Sequence, residues 1–252
     1  MFNFNSPANR SRIRHGVDRL SDVETVRKQT RVMGIVGYTL LRRRIFEELE
    51  IDLVIDAGAN VGQFGQSLRR FYRGDIVSFE PVPPVFRVLS ETAKGDAGWH
   101  CQNMALGSGK SVLTIHVPTD NTMSSFHKMN DFCESKFSLD AGQAAEFEVP
   151  VDRLEAVLDR TIPDWKSRSI FLKMDTQGYD LEVFKGVGAV MERVVALQSE
   201  ISQIPLYDGM PDWKESLAAY EAAGFQLSGL FPVTMQNLAA IEFDCLMVRR
   251  SA

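Results

Sequence analysis

The chain is poor in cysteine and has no long apolar run. Its 252 residues include three cysteines, which are too scattered for a disulfide framework or a Cys/His zinc site. We therefore expect the protein to reside in the reducing cytoplasm. No apolar run reaches the roughly 18 residues that a membrane span needs, and no secretory signal is evident. A net charge of −5 argues against bulk binding to nucleic acid. These absences disfavour a disulfide-stabilised, zinc-binding, membrane-spanning or nucleic-acid-binding protein.

The charge is unevenly distributed. Residues 1–50 carry ten Lys/Arg and six Asp/Glu, a balance of +4, which leaves −9 for residues 51–252. The run Arg42-Arg43-Arg44 is expected to form a solvated helix face, with contact to an anionic membrane or a phosphorylated substrate as the alternative. We interpret residues 1–50 as an N-terminal arm and helical cap. Residues 51–252 are interpreted as the main domain.

Helix signals within the first 50 residues predict two helices. Residues 1–14 are polar and predict a loose arm. Ser21-Asp-Val-Glu24 has the spacing of a capping box, so a helix is expected over 22–33. Gly34 and Gly37 are expected to end it before a second helix over 38–50.

From residue 51 onward, predicted strands and helices alternate, which indicates an α/β fold with a doubly wound parallel sheet and helices on both faces. Residues 111–117 and 147–151 are expected to pair as an excursion from this sheet. The segment between them, 118–146, is long enough to indicate a functional connection. The main strands are predicted at 51–57, 75–80, 99–104, 169–174, 193–199, 225–230 and 241–249, the last antiparallel. The helices are predicted at 62–72, 83–93, 152–160, 179–191 and 212–223.

The first strand and its turn, IDLVIDAGANVG at 51–62, indicate a nucleotide-type site at a strand tip. Gly58 and Gly62 allow a sharp turn, but their spacing is not G-x-G-x-x-G, so a dinucleotide is disfavoured. Asp56 points to a ligand that carries a cation, with capping of the turn as the alternative. Glu80 ends the second strand, where an acid can hold a ribose diol.

Several segments, taken in order, resemble the FkbM family of S-adenosylmethionine-dependent methyltransferases. The resemblance begins with DAGANVGQF at 56–64 and FEP at 79–81 and covers about residues 51–249. The remaining segments are NMALG at 103–107, SS at 124–125, VPVDRL at 149–154, KMDTQGY at 173–179, LQSE at 197–200 and IEFD at 241–244.

The resemblance implies a Rossmann-like class I methyltransferase fold with a seven-stranded, mostly parallel sheet. S-adenosyl-L-methionine would lie over the strand tips, with Glu80 accepting hydrogen bonds from both ribose hydroxyls. The glycine turn would approach the methionyl part, and Asn103 and Met104 would border the adenine. The predicted cofactor-binding residues are Asp56, Gly58, Asn60, Gly62, Glu80, Asn103 and Met104.

A second group of polar residues, Lys173, Asp175 and Gln177, follows the strand predicted at 169–174. Alternation places Lys173 and Asp175 on one side of an extended chain. A buried lysine needs an anionic partner, and Glu200 at the next strand tip is the candidate, so a purely structural ion pair is the alternative to catalysis. Gln177 stands where the family more often has Glu, and a neutral amide cannot act as a base.

Methyl transfer to a hydroxyl requires removal of a proton. The candidate bases are Asp175 first, His127 second and Glu200 third. Mg²⁺ is an alternative activator, but the sequence shows no full set of oxygen ligands, so no metal-binding residue is assigned. Tyr179, Tyr207 and Trp213 are expected near the acceptor pocket, with core packing as the alternative, and core packing is the preferred expectation for Phe231.

The family often methylates sugar hydroxyls, so the resemblance implies an O-methyltransferase acting on a glycolipid, a polysaccharide or a glycosylated natural product. Two alternatives stay open. One is a methyltransferase acting on nitrogen or carboxylate of a non-sugar metabolite. The other is a protein that binds the cofactor without turnover, for which the Gln at 177 is the only support. A dehydrogenase is disfavoured by the glycine spacing.

Overall fold

The computed structural model describes residues 23–140, 142 and 144–250. The predicted arm at 1–14 and the capping residues Ser21 and Asp22 lie outside them. The chain divides into two compact units between Leu40 and Leu41. The domain boundary expected after residue 50 stays a prediction.

The first described element is one continuous helix, α1, at Val23–Glu48. The prediction that Gly34 and Gly37 separate two helices is wrong. Each interior glycine costs a helix only about 1 kcal/mol relative to alanine, so flanking helical turns can continue through both.

The C-terminal turns of α1 pack on the main domain through residues 41–48. Phe46 is buried, and its ring lies 4.8 Å from that of Phe171 and 5.3 Å from that of Tyr72. Arg42 is buried too and donates to the Ser67 hydroxyl at 3.2 Å, so the expectation of a wholly solvated arginine face is wrong at this position.

In the part of the chain that the structure describes, ten strands form two sheets. In chain order they are β1 Leu53–Ala57, β2 Asp75–Phe79, β3 Trp99–Gln102, β4 Ala105–Leu106, β5 Ser111–Val117, β6 Ala145–Asp152, β7 Ile170–Met174, β8 Val194–Ser202, β9 Phe225–Gln236 and β10 Ala239–Arg249. The large sheet has the order β3-β2-β1-β7-β8-β10-β9, in which β10 runs antiparallel to both neighbours. The small sheet, β4-β6-β5, is the predicted excursion.

Six further helices connect or cover the strands. They are α2 Gln63–Leu68, α3 Pro83–Ala93, α4 Asp131–Phe137, α5 Leu154–Thr161, α6 Asp180–Lys185 and α7 Trp213–Ala222, with 3₁₀ turns at Asn121–Met123, Trp165–Ser167 and Gly188–Arg193. The helix predicted over 179–191 is therefore shorter, because the chain changes to a 3₁₀ turn at Gly188, whose φ is 65°. Asp212 and Glu215 form a complete capping box at the start of α7.

The strand order reverses between β1 and β7, which run parallel as neighbours at the centre of the sheet. Every residue of both strands is buried. Ligands of open α/β sheets bind at this switch point, outside the carboxyl ends of the strands. The fold therefore predicts a ligand site at the carboxyl ends of β1, β2, β7 and β8.

Candidate active site

A cavity of about 450 Å³ lies at these strand tips. It is lined from the β1 turn by Gly58 and Asn60 and from the β2 tip by Glu80. Its other side includes Asp175 after β7 and Glu200 on β8. The volume is in the range of small-molecule sites, and charged groups from four strands or strand ends converge on it.

Glu80 is held rigidly at one side of the cavity. Only 5% of the residue is exposed, and its two carboxylate oxygens accept the backbone N–H groups of Asn60 and Val82, each at 2.9 Å. Burial raises the pKa of Glu80 to about 7, although both N–H donors oppose the shift. A carboxylate has about four acceptor positions, so two remain for hydroxyl groups of a ligand.

The turn after β1 fits closely between Glu80 and the β7 tip. Gly58 has a φ of 76°, and a Cβ added there would overlap the carbonyl oxygen of Asp175. Asn60 is also left-handed, at a φ of 47°, and its side-chain oxygen accepts the Val61 N–H at 2.8 Å. Glycine at 58 is therefore a steric requirement of this turn.

The connection between β5 and β6 covers the cavity from above the glycine turn. The Asn60 side-chain amide donates to the Asn121 side chain at 3.2 Å. Ser125 pairs with His116 of β5 and donates its hydroxyl to the Gln177 carbonyl at 2.6 Å. Residues 121–126 line the cavity, so part of the long segment expected to be functional is a wall of the site.

Asp56 lies beneath the cavity lining and not on it. Its fully buried carboxylate is 3.0 Å from the Lys173 ammonium and accepts the Ser78 hydroxyl at 3.1 Å. Lys173 also donates to the Gly58 carbonyl at 2.8 Å and lies 3.5 Å from Asp175. Burial alone would lower the pKa of Lys173, but Asp56 and Asp175 reverse this and raise it.

Asp56 is therefore paired with the ammonium group of Lys173, and the expectation that it faces a cationic ligand is wrong. The predicted partner of Lys173 was also wrong, because Asp56 takes the place proposed for Glu200. Lys173 does form a buried structural ion pair, but with Asp56 and not with the predicted Glu200, and the pair joins neighbouring strands β1 and β7, where the two residues lie side by side.

Gln177 connects the two acids that line the far side of the cavity. Its amide nitrogen donates to Asp175 at 3.2 Å and to Glu200 at 2.9 Å, while its amide oxygen accepts the Tyr207 hydroxyl at 2.8 Å. Burial, followed by the charge of Asp175, raises the pKa of Glu200 well above its usual range. This side of the cavity can accept both hydrogen bonds and a proton.

The β10 strand adds two acids that the sequence analysis did not single out. Asp244 faces Glu200 across the β8–β10 pair and accepts the Gln198 amide at 3.0 Å. Burial and the charge of Asp175 raise the pKa of Asp244 to about 6, and burial also raises that of Glu242. Antiparallel pairing with β8 was the signal that could have found them, because it places residues 242–244 opposite 200–202.

Besides Asp56, four predicted site residues do not line the cavity: Gly62, Asn103, Met104 and His127. Asn103 is exposed and holds the Glu80 and Pro81 carbonyls through its amide, while Met104 packs against the main core. Gly62 begins α2 with a φ of 93°. His127 lies beside Tyr179, and burial lowers its pKa. The described cavity lining contains Tyr179 but not Tyr207, Trp213 or Phe231.

Within residues 23–140, 142 and 144–250, no group of three His, Cys, Asp or Glu side chains is placed to hold a metal ion. Magnesium stays an untested alternative. In the same part of the chain, no helix has the length and apolar character needed to cross a membrane.

The sheet order, the antiparallel β10 and the acid at the β2 tip together define the class I methyltransferase architecture. The family model described as the methyltransferase FkbM domain matches residues 56–227. The chain belongs to the FkbM methyltransferase family.

Two curated relatives are methyltransferases by name. Methyltransferase sdnD of Sordaria araneosa is 33% identical over 154 residues, which cover 53% of this chain and 60% of that protein. Methyltransferase 1 of Beauveria bassiana (strain ARSEF 2860) is 24% identical over 194 residues, 69% of this chain and 72% of the relative. The match thus spans less than two thirds of the first relative.

Among the solved structures to which the chain is distantly similar are two that are methyltransferases by name. The magnesium protoporphyrin IX methyltransferase from Synechocystis PCC 6803 is 12% identical with a TM-score of 0.46, covering 98% of this chain and 93% of that one. The precorrin-6y C5,15-methyltransferase from Geobacter metallireducens GS-15 is 12% identical with a TM-score of 0.42, covering 80% and 81%.

Proposed function

We propose that this protein transfers a methyl group from S-adenosylmethionine to a hydroxyl group of a sugar, carried by a glycolipid, a polysaccharide or a glycosylated natural product. The observation that carries the proposal is that Glu80 and Asp175 line the same cavity. Glu80 can hold a ribose diol, and Asp175 can take up a proton.

The cofactor side of the cavity is built by the first half of the sheet. Glu80 keeps two acceptor positions for the ribose hydroxyls, because its backbone donors occupy the other two. The glycine turn brings the Gly58 backbone to the cavity without a side chain between them. S-adenosylmethionine, when bound, supplies an electrophilic methyl group on a sulfonium.

The reaction needs a base beside the acceptor oxygen. As the oxygen–methyl bond forms, the sulfur–methyl bond breaks, the donor leaves as a neutral thioether and the hydroxyl proton passes to a carboxylate. Asp175 is the proposed acceptor of this proton, because its side chain is 40% exposed toward the cavity while Lys173 and Gln177 hold it in place. Glu200 is the second candidate. His127 is less favoured because it does not line the cavity.

The acceptor side favours a polyhydroxylated molecule. Asp175, Glu200, Glu242 and Asp244 offer hydrogen-bond acceptors to hydroxyl groups. The rings of Phe126 and Tyr179, 4.8 Å apart, also line the cavity and offer apolar faces. Sugars combine these two kinds of surface, with hydroxyl edges and C–H faces.

An amine acceptor is the second candidate. Its support is the same set of carboxylates on β8 and β10, since a protonated amine would be attracted by them. The amine can attack the methyl group only after it has lost its extra proton, which water or any of these carboxylates can accept, so this activity would tolerate replacement of Asp175.

The test is incubation with S-adenosylmethionine that carries a labelled methyl group. Glycolipid extracts, polysaccharides, glycosylated natural products and small amines are offered separately, and products are identified by mass spectrometry. Label on a sugar oxygen supports the proposal, and label on nitrogen supports the second candidate. Binding of the cofactor with no labelled product from any acceptor class would favour a protein without turnover.

A further inference from the structure

Gln177 has a strained backbone at the wall of the cavity. It lies in the turn between β7 and α6 with a φ of 52°, a left-handed conformation that is unfavourable for a residue with a side chain. Its carbonyl accepts the Ser125 hydroxyl at 2.6 Å, which ties the turn to the connection above the cavity. Strained residues that the surroundings hold in place cluster at functional sites.

The hydrogen bonds of its side chain fix which way the amide points. Tyr207 is buried, and burial raises the pKa of its hydroxyl far above the usual range, so it stays a neutral group that can donate. Its nearer acceptor is the amide oxygen of Gln177, at 2.8 Å, and the Met123 carbonyl lies at 3.1 Å. The opposite orientation would place that oxygen against the carboxylates of Asp175 and Glu200. Both amide protons therefore point to these two acids, at 3.2 and 2.9 Å.

We propose that Gln177 is a positioning residue that aligns Asp175 and Glu200 through its two amide protons, so that the Asp175 carboxylate keeps an open acceptor position toward the acceptor hydroxyl. This proposal rests on the proposed function of the same cavity. Gln177 takes no proton itself. The hydroxyl proton still passes to Asp175 as the new oxygen–methyl bond forms.

The alternative residue of the same shape, glutamate, would reverse this effect. Gln177→Glu replaces two donors by an acceptor within hydrogen-bond distance of two carboxylates. The three acids would then share protons, because like charges so close raise one another's pKa. The other charged or titratable groups near the pair are Lys173 on β7, Asp180 on α6, Tyr207 in the following loop, and Glu242 and Asp244 on β10.

Gln177→Glu should lower turnover while leaving cofactor binding nearly unchanged. A misplacement of about 1 Å near a reacting group can lower a rate about 100-fold, so we expect Gln177→Glu to lower kcat by about that factor at pH 7.5. Affinity for S-adenosylhomocysteine should stay within about twofold, since Glu80 binds that ligand. The pH of half-maximal turnover should rise. Gln203→Glu, an exposed site outside the cavity lining, is the matched control and should change neither quantity.

A stability measurement tests the alignment even if no acceptor is found. A glutamate at 177 would have a folded-state pKa above its unfolded value, so its contribution to stability is lost as pH rises through the folded pKa. The Tm difference between Gln177→Glu and wild type should widen from pH 5 to pH 8, with no such trend for Gln203→Glu. Absence of turnover by the wild type would refute the proposed function but leave this result intact. A flat Tm difference, or a Gln177→Glu kcat within twofold of wild type, would overturn the positioning role.

Discussion

The substitution Glu80→Gln tests the ribose assignment with little change of shape. The amide nitrogen cannot accept a hydrogen bond, so one charge-assisted bond to a ribose hydroxyl is lost. It would also face the Asn60 or the Val82 N–H, both of which now donate to the carboxylate at 2.9 Å. Loss of one such bond costs about 1.5–3 kcal/mol. The Kd for S-adenosylhomocysteine should therefore rise roughly 10- to 150-fold.

Isothermal titration calorimetry at pH 7.5 measures this change directly. Glu91→Gln is the matched control, because Glu91 lies on the exposed side of α3 and pairs only with Lys94 at the surface. A thermal melt of each variant shows whether it is folded. If Glu80→Gln binds within twofold of wild type, Glu80 does not hold the ribose, and the proposed placement of the cofactor is refuted.

The pH dependence of binding provides a second readout from the same residue. Burial raises the pKa of Glu80 to about 7 in the free protein, and the ionised form is the better acceptor for two hydroxyl groups. Affinity should therefore rise with pH, by about tenfold between pH 6 and pH 8. The ligand itself has no group that titrates in this window. A slope that persists in Glu80→Gln would assign the effect to another group.

Two further predictions concern the support beneath the cavity. Lys173→Met should lower the free energy of unfolding by about 3–5 kcal/mol, because it leaves the buried Asp56 carboxylate without its cation. Urea titrations measure this loss, and a loss below about 1 kcal/mol would mean that the ion pair contributes little to stability. Gly58→Ala should abolish measurable cofactor binding, because the new methyl overlaps the Asp175 carbonyl oxygen. Gly95→Ala is the control, because Gly95 is also left-handed but has open space around it, and this variant should bind the cofactor as the wild type does. Equal cofactor binding by Gly58→Ala and Gly95→Ala would contradict the steric argument.

Strand tips were the most predictable part of the site. The β1 turn and Glu80 could be assigned because an apolar strand, a glycine and an acid follow one another in the local sequence. Alternating strands and helices indicated a doubly wound sheet, and the resemblance to the family implied seven mostly parallel strands, whereas the strand order came from the structure. The β1 turn, Glu80 and the alternation depend on short stretches of chain, so they can be predicted from a single sequence without an alignment.

Contacts between distant segments were less predictable. Glu200 was the predicted partner of Lys173, whereas the register of β1 against β7 places Asp56 beside it. The contribution of Glu242 and Asp244 depends on how β10 pairs with β8. The continuous α1 was missed for another reason, because tertiary packing and flanking turns outweigh the small penalty of Gly34 and Gly37.

The central claim is that one cavity places a methyl donor beside a base for a hydroxyl acceptor. The most direct test compares wild type with Asp175→Asn, using S-adenosylmethionine with a trideuterated methyl group and an acceptor from the screen. Mass spectrometry of the product and calorimetry with S-adenosylhomocysteine are run on the same preparations. The account predicts labelled methyl on an oxygen with wild type, and for Asp175→Asn a kcat lower by about 100-fold or more with cofactor affinity retained. Equal turnover by the two proteins would contradict it.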